Sequence, residues 1–281
     1  MDEISIIDKL SDTISENYKL RSKYMWKLIS NSTRINHIEK SHSDIPRILV
    51  QFWDNAGTIP TDVKSCLNSW KTLDNYGFNR LLFDDESSKK YITNNYASKY
   101  LEAFKLCNHP AMRADYFRLC YLYQNGGFYV DADDVFIGDN IEMFYQDNKL
   151  KIQPLCYDTL KDQMVNTSNL SIFNKHCDEY IYYANNDPII TPPCHPIIQI
   201  ALDRSTNYLL DEPNRSNDIQ SITGPGNLTA SIVKYAMKNH FSNNHSDFTF
   251  LHNWYNISIP KWPLDYREDN RNWRLWDGSN M

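Results

Sequence analysis

Asp131-Ala132-Asp133 brings two carboxylates together beside a third, Asp134, and Arg113, Asp115 and Arg118 lie a short distance upstream. Two hard oxygen donors facing the same way suit Mg²⁺ or Mn²⁺, ions that keep open positions for phosphate oxygens. In an extended segment side chains alternate, so Asp131 and Asp133 are expected to point together and Asp134 elsewhere. A cation there would neutralise charge building on a departing diphosphate. An Asp-rich chain yields about two such triplets by chance, so the surroundings decide.

Those surroundings read as a helix, a double glycine and a buried strand. Pro110 opens a helix over 110–124, Gly126-Gly127 stop it, and Phe128-Tyr129-Val130 form a strand that delivers the triplet at its exit. Asp115 and Arg118, three apart, share one helical face. Ala111, Ala114, Phe117, Leu119 and Cys120 make that helix mostly buried, and buried charges need partners or a ligand.

Upstream, the apolar run Ile45-Pro46-Arg47-Ile48-Leu49-Val50-Gln51-Phe52-Trp53 predicts a buried strand. A helix at 60–73, a strand at 78–83 and helical segments over 86–107 follow. Downstream, strands are expected at 180–183 and 248–251, and helices at 195–211 and 226–239. Strands alternating with helices predict an α/β fold with a mainly parallel sheet, and ligands in such sheets sit beyond the carboxyl ends of the strands. Residues 3–40 carry apolar positions at helical spacing, which divides the chain into an N-terminal helical extension (1–44) and one domain (45–281).

With 281 residues and a formal charge of −6, the chain has no basic footprint for nucleic acid. Its six cysteines include no CxxC pair, and neither a secretion signal nor an 18-residue apolar run is present. A cytoplasmic location follows as an expectation, with peripheral contact at the inner membrane.

The stretch from Arg113-Ala114-Asp115-Tyr116-Phe117-Arg118 through Asn125-Gly126-Gly127-Phe128-Tyr129-Val130-Asp131-Ala132-Asp133 resembles the DXD sugar-binding region of family 32 glycosyltransferases. That family includes yeast initiating mannosyltransferases, bacterial capsule and lipopolysaccharide transferases and, distantly, clostridial glucosylating toxins. Ile45-Pro46-Arg47-Ile48, with Gln51 and Trp53, and Thr223-Gly224-Pro225 extend the likeness over much of 45–240.

The resemblance implies a GT-A type, Rossmann-like fold, a nucleotide-sugar donor (a UDP-sugar favoured, a GDP-sugar second), Mn²⁺ or Mg²⁺, and retention of anomeric configuration. It implies that Trp53 stacks on the donor base and that Asp115 and Arg118 hold sugar hydroxyls. Asp131 would contact ribose and metal, Asp133 the metal, and Gln51 and Tyr129 would complete the donor site. Val50 stands where relatives often have histidine, and the tail Trp276-Asp277-Gly278-Ser279-Asn280 only partly matches the family's ending. His252, Asp277 and Asn280 therefore remain open as third metal ligand. Asn185, Asn186, His195 and Gly224 would border the acceptor, a saccharide or lipid-linked saccharide of surface-polysaccharide synthesis.

Three alternatives stand beside this reading. One is a toxin-type enzyme that modifies protein. Another is a phosphatase of the haloacid dehalogenase type, whose opening motif Asp131-Ala132-Asp133-Asp134-Val135 also fits. The last is a sugar-nucleotide-binding protein without turnover.

Overall fold

The computed structural model describes residues 3–32, 44–138, 141–211, 218–240 and 247–276. Two helices, α1 (Glu3–Glu16) and α2 (Tyr18–Ser32), precede strand β1 (Ile48–Phe52). Then come α3 (Thr61–Ser69), β2 (Asn79–Phe83), α4 (Asp85–Asn95), α5 (Ser98–Lys105), α6 (Pro110–Asn125) and β3 (Gly127–Tyr129). The second half holds β4 (Asp134–Phe136), β5 (Leu150–Asp158), β6 (Gln163–Val165), β7 (Tyr180–Thr191), α7 (Pro196–Leu210), α8 (Ile219–Ile222), α9 (Pro225–His240), β8 (Phe248–Phe250) and β9 (Ser258–Pro260).

One sheet runs β2-β1-β3-β7-β5-β6, with β8 beside β5, and β4 pairs β9 separately. The strands β2, β1 and β3 are mutually parallel, as the strand-helix alternation predicted. Beyond them β7 runs antiparallel to both β3 and β5, so the sheet changes character half-way across. Helices flank it, as expected of an α/β fold.

Side-chain alternation in these strands fills two separate cores. Val50, Phe52, Tyr129 and Ile189 join one buried cluster with α6, α7 and α9, while Leu49, Phe128, Val130 and Ile190 join another with Trp70 and Trp254. One face of the sheet supplies each.

The α6–β3 connection explains the double glycine. His109 caps α6 by accepting from the Ala111 amide, with Pro110 in the first turn. Gly126 adopts φ 67° and Gly127 φ 110°. A Cβ on Gly126 would lie 2.6 Å from the Pro193 nitrogen, and one on Gly127 2.9 Å from the Ile48 carbonyl. Only glycine lets the chain leave the helix and enter the sheet so close to β1 and β7.

Two strands differ from what the sequence pattern suggests. The β5 segment carries Lys151, Gln153 and Pro154, a polar and proline-broken pattern that does not look like a central strand. For the same reason the strand expected over 180–183 runs on to Thr191, past Asn185-Asn186-Asp187-Pro188. The helix expected over 60–73 ends at Ser69 and tightens into a 3₁₀ turn, Trp70–Tyr76.

The helices α1 and α2 lie against α9 and β7, with Met25 and Ile29 fully buried and Lys238 paired to Asp8 at 2.7 Å. Residues 33–40 of the predicted helical stretch fall outside the described residues. Among the described residues no helix is long and apolar enough to cross a membrane.

Candidate active site

Beyond the carboxyl ends of β1 and β3 opens a cleft of about 450 Å³. Trp53 and Asp54 follow β1 into it, and Asp131, Ala132 and Asp133 follow β3. The triplet is a turn, closed by the Asp134 amide donating to the Asp131 carbonyl at 3.3 Å, rather than extended strand. Asp131 and Asp133 both border the cleft because the backbone turns there, not because side chains alternate. Asp134 continues into β4, where its carboxylate is buried and accepts from the Ser258 hydroxyl at 3.0 Å. Burial, then the charges of Asp133 and Asp131, push its pKa well above the usual carboxylate range.

Arg118 organises the floor. Its Nη2 lies 2.8 Å from Asp115 Oδ1 and 2.8 Å from Asp131 Oδ1, and its Nη1 donates to the Asn186 carbonyl. The guanidinium carbon sits 4.2 Å from the centre of the Tyr129 ring. Burial opposes the charge, yet Asp131, Tyr129 and Asp115 hold Arg118 protonated beyond the ordinary arginine range. Asp115 also accepts from Asn186 Nδ2 at 2.8 Å and from the Thr223 hydroxyl at 3.3 Å. Burial raises its pKa to about 6, with Arg118 pulling the other way. Gly224 belongs to this corner, since a Cβ there would lie 3.4 Å from Asp115 Oδ2.

Asp133 faces the C-terminal segment. Tyr266 donates to its Oδ2 at 2.6 Å, and Arg267 pairs with the same oxygen while stacking 3.6 Å from the Trp262 ring centre. Arg271, Trp273 and Arg274 extend this wall. In the sequence this tail reads only as rich in tryptophan and charge, which gives no sign that it folds across the triplet.

The remaining predicted residues divide. Trp53 borders the cleft and meets Tyr266 edge-on at 5.2 Å, with its Nε1 buried and unpartnered. Asn185 and Asn186 also border the cleft. Gln51 lies beneath it and braces the turn, its Nε2 at 3.4 Å from the Asp131 carbonyl. Tyr129 is fully buried behind Arg118, and neither Gln51 nor Tyr129 is among the residues that line the cleft.

His195 is the N-cap of α7, accepting from the Ile197 amide, and its other ring nitrogen meets the Asp247 carbonyl at 3.1 Å. It stands away from the cleft because a buried helix start needed a cap. His252 packs on Phe173 near Ser32, and burial lowers its pKa to about 4. His252 is not among the residues that line the cleft with Asp131 and Asp133. Asp277 and Asn280 fall outside the described residues. Asp187, to which no sequence motif points, lines the cleft and accepts from the Asp131 amide at 3.1 Å.

Residues 60–155 match the family described as a glycosyltransferase sugar-binding region containing a DXD motif. The chain contains a glycosyltransferase sugar-binding region with a DXD motif. An uncharacterised glycosyltransferase of Acanthamoeba polyphaga mimivirus is 27% identical over 216 residues, which covers 74% of this chain and 73% of the relative. The initiation-specific alpha-1,6-mannosyltransferase of Schizosaccharomyces pombe is 23% identical over 250 residues, covering 78% of this chain and 59% of that protein. Among solved structures, PaToxG glycosyltransferase overlays with a TM-score of 0.47 at 13% identity, over 86% of this chain and 84% of the other.

For this glycosyltransferase the donor set fits a small divalent ion. Asp131 Oδ1 is engaged by Arg118 and Asp133 Oδ2 by Tyr266 and Arg267, which leaves one carboxylate oxygen of each for a cation. Two carboxylates with the other positions left to water and phosphate is the usual Mg²⁺ arrangement. No group of three or more His, Cys, Asp or Glu suited to a metal occurs among the described residues.

Proposed function

We propose that this glycosyltransferase moves a hexose from a nucleotide sugar, a UDP-sugar first and a GDP-sugar second, to a saccharide with retention of configuration, using Mn²⁺ or Mg²⁺. The observation that carries the reading is the Asp115–Arg118–Asp131 network sharing one cleft with Asp133 and Trp53. Retention and the surface-polysaccharide setting, with the enzyme working from the cytoplasmic side on a carrier-linked acceptor, rest on the family resemblance.

Each residue then has a task. Ionised Asp115 accepts hydrogen bonds from donor sugar hydroxyls, and Arg118 keeps that carboxylate in place and charged. Trp53 offers its indole to the base, with Nε1 free to donate. Asp131 and Asp133 would hold the ion, which supplies Lewis-acid stabilisation of the diphosphate. Arg267, Arg271 and Arg274 place further positive charge on the wall beside the triplet. In the transfer the acceptor hydroxyl oxygen bonds to the anomeric carbon as the carbon–phosphate-oxygen bond breaks. The diphosphate leaves with the electron pair, and the hydroxyl proton goes to its oxygen. Fixing donor and acceptor in one cleft removes most of the entropic barrier.

A screen of donor hydrolysis and transfer over UDP- and GDP-hexoses, with and without Mn²⁺, tests the reading, with Asp133→Ala alongside. Turnover that ignores the metal and survives Asp133→Ala sinks the metal-dependent mechanism. The activity named for the yeast relative makes mannose one hexose to include. The phosphatase alternative gives way to the family match over residues 60–155.

A further inference from the structure

The cleft has a second wall that the donor-binding residues do not use. It is built by β5, β7 and the turn after β8, from Gln153, Asn185, Tyr183 and Tyr255, with Leu155 and Met164 beside them.

Its shape comes from an irregularity in the sheet. Ile152 pairs with Ile189 and Pro154 with Ala184, so residues 185–188 of β7 stand opposite Gln153 alone. A bulge of this kind bends a strand and re-aims its side chains, and prolines are tolerated there because the ladder is already broken. Here it turns Asn185, Asn186 and Asp187 toward the cleft. Asn185 Nδ2 donates to Gln153 Oε1 at 2.9 Å and to the Asp187 carbonyl, which fixes the Gln153 amide with its oxygen inward.

The other end of that amide is unsatisfied. Gln153 is 1% exposed, and its Nε2 has no hydrogen-bond partner of good geometry, although the Tyr255 hydroxyl faces it. Tyr183 stands beside Tyr255, and both are only partly covered. A buried donor without a partner is costly, and a ligand hydroxyl is the natural remedy.

We propose that this wall is the acceptor subsite and that it takes a pyranose ring, with Gln153 Nε2 donating to one ring hydroxyl and Tyr183 and Tyr255 covering the apolar C–H face. A sugar ring presents that combination of an apolar face and a polar rim, which suits apolar walls carrying a few fixed polar groups. The proposal rests on the glycosyltransferase reading and adds residues and a ligand class to it. A site built to hydrogen-bond a hydroxyl also discriminates sharply against analogues that lack it.

The test uses the full chain, the nucleotide sugar selected by the donor screen, and methyl hexopyranosides of gluco, galacto and manno configuration as acceptor probes, with their monodeoxy analogues. Gln153→Met keeps length and removes the donor. It should raise the acceptor KM about tenfold, the effect of one lost hydrogen bond to a buried group, while the calorimetric Kd for the nucleotide sugar changes less than about twofold. One deoxy analogue should show the same loss with the natural chain and no further loss with Gln153→Met. Tyr255→Ala should raise the acceptor KM too, and it keeps the test open if thermal melting shows that Gln153→Met does not fold. An unchanged acceptor KM in both variants, or transfer to a serine/threonine peptide and to none of the sugars, overturns the proposal. Absence of any nucleotide-sugar binding by the natural chain instead removes the glycosyltransferase reading beneath it.

Discussion

Replacing Arg118 by methionine keeps much of the volume and removes the charge that two carboxylates share. Arg118 is 2% exposed, and its Nη2 stands 2.8 Å from both Asp115 and Asp131. Breaking a buried pair by deleting one partner costs about 3–5 kcal/mol, because the remaining charge is stranded. The Asp131 side chain is 36% open to the cleft and can rehydrate, whereas Asp115 is 9% open and cannot. The expected loss therefore lies near the lower end, about 3 kcal/mol at pH 7, out of a total of about 5–15 kcal/mol for a folded domain.

The pH dependence carries the diagnostic sign. Asp115 already has its folded pKa raised by burial to about 6, above the unfolded value, and losing Arg118 raises it further. A carboxyl with a raised folded pKa takes up a proton on folding, so the folded state gains as pH falls through that value. Arg118→Met should regain part of its deficit between about pH 7.5 and 5.5, each tenfold gain in the carboxylate's proton affinity being worth about 1.4 kcal/mol. Urea melts at both pH values, with matched slopes, measure this. A deficit below about 1 kcal/mol, or one equal at the two pH values, would falsify the stranded-carboxylate argument.

Three shorter expectations follow from neighbouring features. Because Asp115 must be ionised to accept sugar hydroxyls, nucleotide-sugar affinity should fall as pH drops through about 6, and Asp115→Asn should flatten that step in calorimetric titrations; a natural chain with no inflection contradicts the assignment. Arg267→Ala removes a positive charge paired with Asp133, so Mn²⁺ held by the other oxygen of that carboxylate should bind roughly tenfold or more tightly by calorimetry, given about 1.5–3 kcal/mol for a charged hydrogen bond; unchanged or weaker binding means that Arg267 does not oppose the ion. Gly126→Ala should lose at least about 1–3 kcal/mol in denaturant melts, since φ 67° and ψ −164° suit only glycine and the new Cβ meets the Pro193 backbone; a neutral result would show that β3 can shift away from β7.

The sequence by itself determined the local pieces of the donor site. Pro110, the apolar positions of α6, Gly126-Gly127 and Phe128-Tyr129-Val130 specify helix, reversal and strand through backbone preferences that act over a few residues. They also put Asp115 and Arg118 on one face and the triplet at a strand end. Distant contacts were decided by packing. Asp187 reaches the Asp131 amide, and Gln153 reaches the cleft, only because Ile152 pairs with Ile189 across an irregular register. Arg267 meets Asp133 only because the chain after β9 folds back over the turn. His252 was a reasonable ligand by residue type, yet the apolar surroundings of Phe173 hold it elsewhere. Residue type and spacing set what a side chain can do, but strand register and the path of the tail set what it meets, because those contacts join residues far apart in the chain through the sheet rather than along the backbone.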